Sequence, residues 1–279
     1  MSEPLSIKIF LVKGSSSNLR TAEISNWSGK AIACSRNELD ELAKRDEATR
    51  PGVYFLIGND LETGEPSVYV GEAEEVAKRL KQHLSKDSWN QVVAFVSKDE
   101  NLTKAHIKYL EGKLIAIGLE AGKGVIHNNQ SSGARLPESD QAEMDIFLDR
   151  ILKLLPVMGT ALFQVPSVSE KTIEEKLICK IKGLVAYGNR TDNGFIVYRG
   201  SEAVLEDRAS SIRTKARREQ LSDKGVLTLQ NDRLIFTKDY EFTSPSLAAA
   251  VIRGGASNGL TAWRTKEGRK LKELESGEA

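Results

Sequence analysis

The chain has 279 residues, of which 40% are hydrophobic and 28% charged, a composition typical of a folded globular protein rather than a disordered one. Its 40 basic and 39 acidic side chains leave a formal net charge of +1, which excludes a globally basic polyanion-binding protein and restricts any nucleic-acid contact to local patches. At roughly 150 residues per domain, the length suggests about two domains.

Several other classes are disfavoured by the sequence. No apolar run approaches the roughly 18 residues that a membrane-spanning helix needs. The N-terminus lacks the basic segment and cleavage site of a signal peptide and is predicted to be a strand. The two distant cysteines, Cys34 and Cys179, exclude a disulfide framework and a four-thiolate zinc site, and the three histidines are scattered. We therefore expect a protein of the reducing cytoplasm.

Residues 1–50 are predicted to form an N-terminal extension of strands and one helix. Alternating apolar residues indicate a half-buried strand at 5–12, and a second strand is predicted around 19–25. Ser35 is a candidate cap for a helix over 36–46, packed through Leu39, Leu42 and Ala43.

Residues 51–156 form the most informative part of the chain. The predicted elements are strands at 52–57 and 67–70, a helix at 72–84, a strand at 92–96 and a helix at 102–120. Gly71 is expected to end the second strand, and Val76, Leu80 and Leu84 form the buried stripe of the first helix. We expect an α+β fold in which a small three-stranded antiparallel sheet is flanked by helices.

A trailing helix is predicted at 139–155 and is expected to stop at Pro156. Residues 157–170 are predicted to be a linker, followed by a second α+β domain over 171–279. Within that domain, Ser244 and Pro245 together are typical of a helix start, since serine caps the helix and proline suits its first turn.

Five polar residues of the central block are not where packing alone would place them. Tyr54 and Tyr69 alternate out of the apolar rows and can share one sheet face. Arg79 and His83 are four residues apart and share a helix face, outside its predicted apolar stripe. Glu111 lies at the margin of the apolar stripe of the long helix, where a buried carboxylate requires a cation. Each residue alone is also compatible with an ordinary solvated surface.

Taken together, these residues occur in a particular order. The triplet Gly52-Val53-Tyr54 is followed by Tyr69-Val70-Gly71, then by Arg79 about ten residues later and by His83 one helical turn beyond it. This order resembles the GIY-YIG nuclease superfamily, with valine in place of isoleucine in both triplets. Glu111 matches the metal-binding glutamate that the family carries on its long helix.

The resemblance extends beyond these positions. The late asparagine of the family corresponds to Asn128, with Asn129 as an alternative, and is expected to support the site by hydrogen bonding. The segments 7–12 and 26–30, and the stretch from 246–251 through 258–263, resemble a bacterial subgroup in which the nuclease module precedes a domain of unassigned function.

The resemblance implies metal-assisted hydrolysis of DNA phosphodiester bonds. Glu111 would hold one Mg²⁺ or Mn²⁺, hard cations that prefer carboxylate oxygen. Arg79 would hold the phosphate through its charged fork. Tyr54 is favoured as the general base with Tyr69 positioning the water or the phosphate, and His83 is the alternative base.

The second domain is a candidate nucleic-acid-binding unit because its basic residues are clustered. The clusters comprise Arg208, Arg213, Lys215, Arg217 and Arg218, and then Arg253, Arg264, Lys266, Arg269, Lys270 and Lys272 around Trp263. We select as candidate DNA contacts Arg213, Lys215, Arg217, Arg218, Arg264 and Lys266. Trp263 could stack on a base. Alternatively, neighbouring acidic residues neutralise these clusters and Trp263 belongs to the core.

Two functions remain open at this point. The first is a metal-dependent endonuclease, which includes a toxin or anti-phage effector using the same chemistry. The second is a catalytically silent nucleic-acid-binding or adaptor protein that retains the fold. The presence of every expected polar residue type favours the enzyme, because a decayed site would have lost at least one of them. The sequence does not identify the DNA target, the pathway or the oligomeric state.

Overall fold

The structure is a computed structural model that describes residues 4–15, 18–62, 64–128, 133–164, 176–207 and 212–276. The chain divides into two units, Met1–Val165 and Pro166–Ala279, and each contains both helices and strands. The prediction of a mixed α+β fold is therefore confirmed, whereas the small three-stranded antiparallel sheet expected in the first unit is instead part of a larger, mixed sheet. Within the described residues, every helix is too short or too polar to cross a membrane.

The first unit is built on a mixed sheet of seven strands in the spatial order β1-β2-β3-β6-β4-β5-β7. The strands are β1 Ile7–Leu11, β2 Arg20–Ile24, β3 Gly29–Ser35, β4 Gly52–Asn59, β5 Pro66–Ala73, β6 Gln91–Ser97 and β7 Val125–Ile126. All neighbouring pairs are antiparallel except β5 and β7, which are parallel. The predicted strands β4, β5 and β6 lie together, with β4 paired to both others.

Helices cover both faces of this sheet. They are α1 Leu39–Ala43, α2 Val76–Gln82, α3 Lys104–Ala121 and α4 Glu138–Met158, accompanied by 3₁₀ turns at Arg36–Glu38, Asp46–Thr49 and His83–Ser85. Strand β4 shows how the two layers form. Val53 and Phe55 point into the core beneath α3 and α4, whereas Tyr54 and Leu56 point into the core beneath α1 and α2. Burial on both faces follows from this two-sided cover.

The N-terminal residues contribute to the sheet itself. Strand β3, which the sequence did not predict, pairs with β6 from Gly29 to Ser35. Its residues are mostly small and buried, so they show no alternation of apolar and polar positions. Strands β1, β2 and β3 of the predicted N-terminal extension therefore widen the sheet rather than forming a separate element. The predicted half-burial of β1 is wrong, because β1 is an edge strand with all five residues exposed.

The segment between Gly71 and Leu84 differs from its prediction. Gly71 does not end β5, since the antiparallel register with β4 continues to Ala73. Helix α2 accordingly begins at Val76 and ends at Gln82, and a 3₁₀ turn follows. The tighter rotation of that turn directs His83 inward and leaves Leu84 43% exposed. His83 therefore takes the buried place that the helical pattern had assigned to Leu84.

Helix α4 does not stop at Pro156 but continues to Met158. Burial of Met158 extends the apolar stripe past the proline, and this packing offsets the hydrogen-bond donor that proline lacks. Leu162 and Phe163 also belong to the core beneath α3 and α4. Residues up to Phe163 are thus part of the first unit rather than a linker, and residues 165–170 of the predicted linker, with residues 171–175 of the predicted second domain, lie outside the described residues.

The second unit contains two antiparallel sheets, one of four strands in the order β14-β10-β9-β8 and one of three in the order β11-β13-β12. The strands are β8 Leu177–Ile181, β9 Leu184–Thr191, β10 Gly194–Val197, β11 Glu202–Val204, β12 Leu227–Gln230, β13 Arg233–Phe236 and β14 Tyr240–Phe242. Its helices are α5 Ile212–Asp223, α6 Pro245–Arg253, α7 Gly259–Ala262 and α8 Leu271–Ser276. The predicted helix start is confirmed, because Ser244 Oγ accepts the Leu247 N–H at 3.1 Å.

Candidate active site

Two tyrosines lie on the same face of the β4–β5 ladder. Tyr54 lies directly across from Gly71, and Leu56 lies directly across from Tyr69. Residues that face each other across an antiparallel pair share a face, as do residues two apart along a strand. The two phenol rings are 6.3 Å apart between centroids with an interplanar angle of 28°. The predicted shared face is therefore confirmed.

Gly71 makes room for the Tyr54 ring. A Cβ atom placed on Gly71 would lie 2.4 Å from both Cζ and Oη of Tyr54. Gly52 is also closely packed, since a Cβ there would lie 2.3 Å from the Phe95 carbonyl oxygen. The two glycines of the signature triplets are thus required by close approach, and Gly71 is the one that allows Tyr54 to extend across the neighbouring strand.

His83 is 5% exposed and contacts both tyrosines. Its Nε2 is 2.9 Å from the Tyr54 hydroxyl, and its ring centroid is 5.2 Å from that of Tyr69. Burial lowers the pKa of His83 to about 4, with further lowering by Lys86 and Arg79. The imidazole is therefore neutral at pH 7, and one of its nitrogens can accept the Tyr54 hydroxyl proton.

Arg79 is exposed on α2, and its guanidinium lies beside both phenols. The pKa of Arg79 is raised, chiefly by its hydrogen-bonding interaction with Tyr54 and with a smaller contribution from Tyr69. Its Nη1 also donates to Gln82 Oε1 at 2.8 Å. The side chain is thus held next to the tyrosines, and the residue is exposed to solvent.

Glu111 is half-buried on α3, and its carboxylate acts on the same phenol. The pKa of Tyr54 is raised, first by burial and then by the neighbouring Tyr69 and Glu111, whereas Arg79 opposes the rise. Because such interactions require proximity, the negative charge of Glu111 and the positive charge of Arg79 both reach Tyr54. Tyr54, Tyr69, Arg79 and His83 are thus brought together, and the charge of Glu111 acts on Tyr54.

Asn128 is bound to the backbone of the second signature triplet. Its Oδ1 accepts the Val70 N–H at 3.1 Å, and its Nδ2 donates to the Val70 carbonyl oxygen. The side chain thus continues the parallel β5–β7 pairing by two residues, and it fixes the backbone between Tyr69 and Gly71. Asn128 therefore holds the strand backbone next to Tyr69. The alternative, Asn129, lies outside the described residues.

Two basic residues that the sequence analysis did not select lie at the site. Lys86 contacts Tyr69, and Arg36 binds the backbone that follows His83. Lys86 is exposed, and its Nζ lies 4.9 Å from the centroid of the Tyr69 ring. Arg36, from the N-terminal part of the sheet, donates to the backbone carbonyl of Lys86 and to that of Trp89 at 3.4 Å. Trp89 in turn donates from Nε1 to the His83 carbonyl oxygen at 3.0 Å. Arg36 is remote in sequence, so no local pattern could have identified it.

The donor set is compatible with a hard divalent cation. Among the described residues, no group of three or more His, Cys, Asp or Glu side chains could hold a metal ion. Glu111 is the carboxylate that interacts with Tyr54. Mg²⁺ is commonly bound by one or two carboxylates and completes its shell with waters and substrate phosphate. A single carboxylate therefore suits Mg²⁺ or Mn²⁺ and does not suit a metal that needs several protein ligands.

The first basic cluster of the second unit is only partly available to a ligand. Arg218 is 3% exposed and forms an ion pair with Asp207, so its selection as a DNA contact is wrong. Arg217 is half-buried and donates to the Tyr240 hydroxyl at 3.0 Å. Lys215 is exposed. Arg208 and the side chain of Arg213 lie outside what the structure describes.

In the second basic cluster the selected cations are exposed to solvent, whereas the aromatic residue is buried in the core. Arg264 and Lys266 are exposed. Trp263 is fully buried, donates from Nε1 to the Pro245 carbonyl oxygen at 3.0 Å and packs on Phe195 with ring centroids 4.4 Å apart. Trp263 therefore belongs to the core, and the expectation that it stacks on a base is wrong.

Comparison with known protein families assigns residues 177–275 to a domain of unknown function, DUF4357. This match coincides with the described part of the second unit and carries no activity with it. No curated protein and no solved structure matches the chain.

Proposed function

We propose that the first unit is a divalent-metal-dependent endonuclease of the GIY-YIG type, which hydrolyses DNA phosphodiester bonds. Strands β4, β5 and β6 with helices α2 and α3 are the elements that would form its module. One observation carries the proposal, namely that Tyr54, Tyr69, His83 and Arg79 meet beneath α2 on one face of the sheet. Glu111, on α3, acts electrostatically on Tyr54.

Arg79 is the phosphate-binding residue in this proposal. Its guanidinium is exposed and stays charged at any accessible pH, and it can offer two parallel N–H groups to a phosphate. Phosphodiester hydrolysis builds negative charge on the equatorial phosphate oxygens, so a fixed cation stabilises the transition state more than the ground state. Lys86 adds a second positive charge on the same side, next to Tyr69.

The Tyr54–His83 pair is the proton acceptor. The neutral imidazole accepts the Tyr54 hydroxyl proton, which leaves an oxygen lone pair of Tyr54 free to accept a proton from the attacking water. Burial raises the pKa of Tyr54, so a free phenolate is disfavoured at neutral pH. In the paired arrangement Tyr54 gains one proton as it passes another to His83, so the charge that develops is an imidazolium instead of a phenolate. Because the pKa of His83 is about 4, the negative charge that develops on the phosphate must stabilise this imidazolium. Tyr69, which is half-buried, positions the water or the phosphate.

Glu111 is the residue that would hold Mg²⁺ or Mn²⁺. When bound, the metal supplies Lewis acidity to the phosphate and to the leaving 3′ oxygen. Without a cation, the Glu111 carboxylate raises the pKa of Tyr54 and works against proton transfer from that phenol. A divalent cation on Glu111 would offset this charge as well as binding the substrate.

Cleavage assays with the full-length chain test the proposal. Supercoiled plasmid, single-stranded DNA, branched DNA and RNA are incubated with Mg²⁺, with Mn²⁺ and with a chelator. Metal-dependent cleavage of a DNA substrate is expected, and Arg79→Ala and Glu111→Gln should abolish it. Lys78→Ala and Glu120→Gln are matched controls, because each removes the same charge from an exposed position on the same helix. If every substrate stays intact with both metals, the protein is a silent nucleic-acid-binding or adaptor protein instead.

A further inference from the structure

Strand β1 ends the seven-stranded sheet and exposes apolar side chains on both of its faces. Within the described residues, no strand pairs with its outer side. Ile9 is 47% exposed and Phe10 is 63% exposed, and Ile7 and Leu11 are also exposed. Proteins usually protect such an edge with charges, proline or a covering element, because its free N–H and C=O groups can pair with another strand.

The backbone of β1 shows which residues offer those free groups. The Ser6 carbonyl oxygen accepts from the Ser25 N–H at 3.0 Å, and the Val12 N–H donates to the Leu19 carbonyl oxygen at 3.1 Å. Even-numbered residues therefore bond to β2. In an antiparallel ladder, alternate residues point their N–H and C=O groups to opposite sides. The polar groups of Ile7, Ile9 and Leu11 consequently point away from the sheet.

We propose that β1 is a self-association edge, at which a second copy of this chain adds its own β1 in antiparallel orientation about a twofold axis at Ile9. Ile9 then faces Ile9 of the other copy and exchanges reciprocal N–H···O=C bonds with it, and Ile7 faces Leu11. The Leu11 carbonyl oxygen already accepts from the Gly14 N–H at 3.1 Å. Each Ile7–Leu11 pair is therefore held by one hydrogen bond, which the Leu11 N–H of one copy donates to the Ile7 carbonyl oxygen of the other.

The side chains of β1 are self-complementary in this register. On one face, Ile7, Ile9 and Leu11 meet the same three residues of the second copy and form a continuous aliphatic row. On the other face, Lys8 lies opposite Phe10, so its stem and charge meet an aromatic ring rather than another ammonium group. A twofold axis at Lys8 would instead place two like charges directly opposite each other.

A second copy is favoured over an unrelated partner by this symmetry. An isologous interface requires that the residues at equal distances on either side of the axis suit each other, and β1 satisfies that requirement along its whole length. An unrelated strand would impose no such relation between Ile7 and Leu11, or between Lys8 and Phe10. The proposal does not depend on the nuclease function of the first unit.

Sedimentation velocity of the full-length chain over a range of concentrations is the first test. A reversible dimer is expected, and Ile9→Lys should weaken dimerisation at least tenfold because it places two charges at the axis. Ile9 is exposed and its N–H points away from β2, so the melting temperature of this variant should equal that of the wild type at a concentration where both are monomeric. Leu61→Lys, at a 77% exposed position in the β4–β5 loop, is the matched control and should dimerise normally.

Disulfide trapping identifies the register. An Ile9→Cys variant should form a covalent dimer under mild oxidation, since facing residues of a hydrogen-bonded antiparallel pair lie about 5.5 Å apart between Cα atoms, within disulfide range. The native Cys34 and Cys179 are buried and should not compete. Leu61→Cys should cross-link far more slowly. A monomer at all concentrations, or a dimer that Ile9→Lys leaves intact and Ile9→Cys does not trap, would overturn the proposal.

Discussion

Gly71 lies directly across the β4–β5 ladder from Tyr54, at a distance that leaves no space for a side chain between them. A Cβ atom on Gly71 would be 2.4 Å from the Tyr54 hydroxyl oxygen. That oxygen is also the one that meets His83 at 2.9 Å. A single methyl group at position 71 must therefore displace the phenol or the strand, and this links the second signature triplet to the first.

Gly71→Ala should lower the free energy of unfolding by about 1–3 kcal/mol, the usual cost of overpacking a filled site. It should also reduce cleavage sharply, because the Tyr54–His83 contact would be displaced. In a Tyr54→Ala background the same substitution should cost much less, since the ring that it strikes is absent. Urea denaturation of the wild type, both single variants and the double variant measures the coupling. Effects that add within about 0.5 kcal/mol would show that the two residues do not interact.

The sequence predicted which face of the sheet Tyr54 occupies, but it did not predict that Gly71 provides the space for its ring. Alternation along β4 and β5 was sufficient to place Tyr54 and Tyr69 on one face. Gly71 was interpreted as a strand end because glycine usually weakens a strand, and a sequence does not reveal that a ring from the neighbouring strand fills the space above it. Strand β3 was missed for a related reason, since burial on both faces removes the alternation that marks a strand.

Arg36 should act as a positioning residue for His83. It donates to the Lys86 carbonyl and, through Nη2, to the Leu84 carbonyl at 2.6 Å, and so holds the turn that carries the imidazole. Arg36→Ala should lower the free energy of unfolding by about 1–3 kcal/mol and reduce kcat more than it raises KM. Arg36→Lys should restore only part of the loss, because a single ammonium group cannot span two carbonyls.

NMR titration of His83 separates this positioning role from a general loss of stability. In Arg36→Ala the loosened turn should admit water, and the pKa of His83 should rise from about 4 toward its ordinary value near 6.5. Arg45→Ala is the control, since it removes another partly buried arginine that binds Glu47 and not this turn. An unchanged His83 titration in Arg36→Ala would contradict the role assigned to Arg36.

The burial of His83 should make the protein less stable in mild acid. The pKa of His83 is about 4 in the folded chain and near 6.5 when unfolded, so between these values the unfolded chain binds a proton that the folded chain does not. Stability contributed by His83 is present above pH 6.5 and is lost as the pH falls toward 4, by about 3 kcal/mol in total. Urea unfolding at pH 7 and 4.5 measures the loss.

His83→Gln should remove most of this pH dependence. Glu47, whose pKa is lowered to about 2 by Arg45 and Lys30 against the opposing effect of burial, loses its contribution only between about pH 4.5 and 2. The two effects therefore occupy different pH ranges. Equal slopes for the wild type and His83→Gln between pH 6.5 and 4 would contradict the burial of a neutral imidazole.

The second unit should contact DNA through its exposed cations and not through Arg218. Lys266→Glu should weaken DNA binding and reduce the dependence of log K on log salt by roughly one unit, the expected loss for one phosphate contact. Lys238→Glu, another exposed position in the unit, should have a smaller effect. Arg218→Ala should lower the melting temperature instead, because it leaves Asp207 without its buried partner. Identical affinities and salt slopes in electrophoretic assays of Lys266→Glu and the wild type would assign this surface to another role.

Some contacts of the site could be expected from the sequence, whereas others depend on residues that are distant along the chain. The order of Tyr54, Tyr69, Arg79 and Glu111 resembles that of a nuclease family, and the expectation that they converge came from this resemblance rather than from any local pattern. The burial of His83 depends on the 3₁₀ turn after α2, and that turn is held by Arg36 from a distant strand end. Such a contact leaves no periodic pattern in the chain. Likewise, Arg218 and Trp263 are buried by tertiary packing, which basic residues that are close together in the sequence do not reveal.

The central claim is that a divalent cation binds on Glu111 beside the paired phenols. Crystals of the wild type and of Glu111→Gln soaked in Mn²⁺ would be measured at the manganese absorption edge. The account predicts an anomalous peak within coordinating distance of a Glu111 carboxylate oxygen, on the side of Tyr54 and Tyr69, and its loss in the variant. A wild-type crystal with manganese bound elsewhere and none at Glu111, or a peak that persists unchanged in Glu111→Gln, would contradict it.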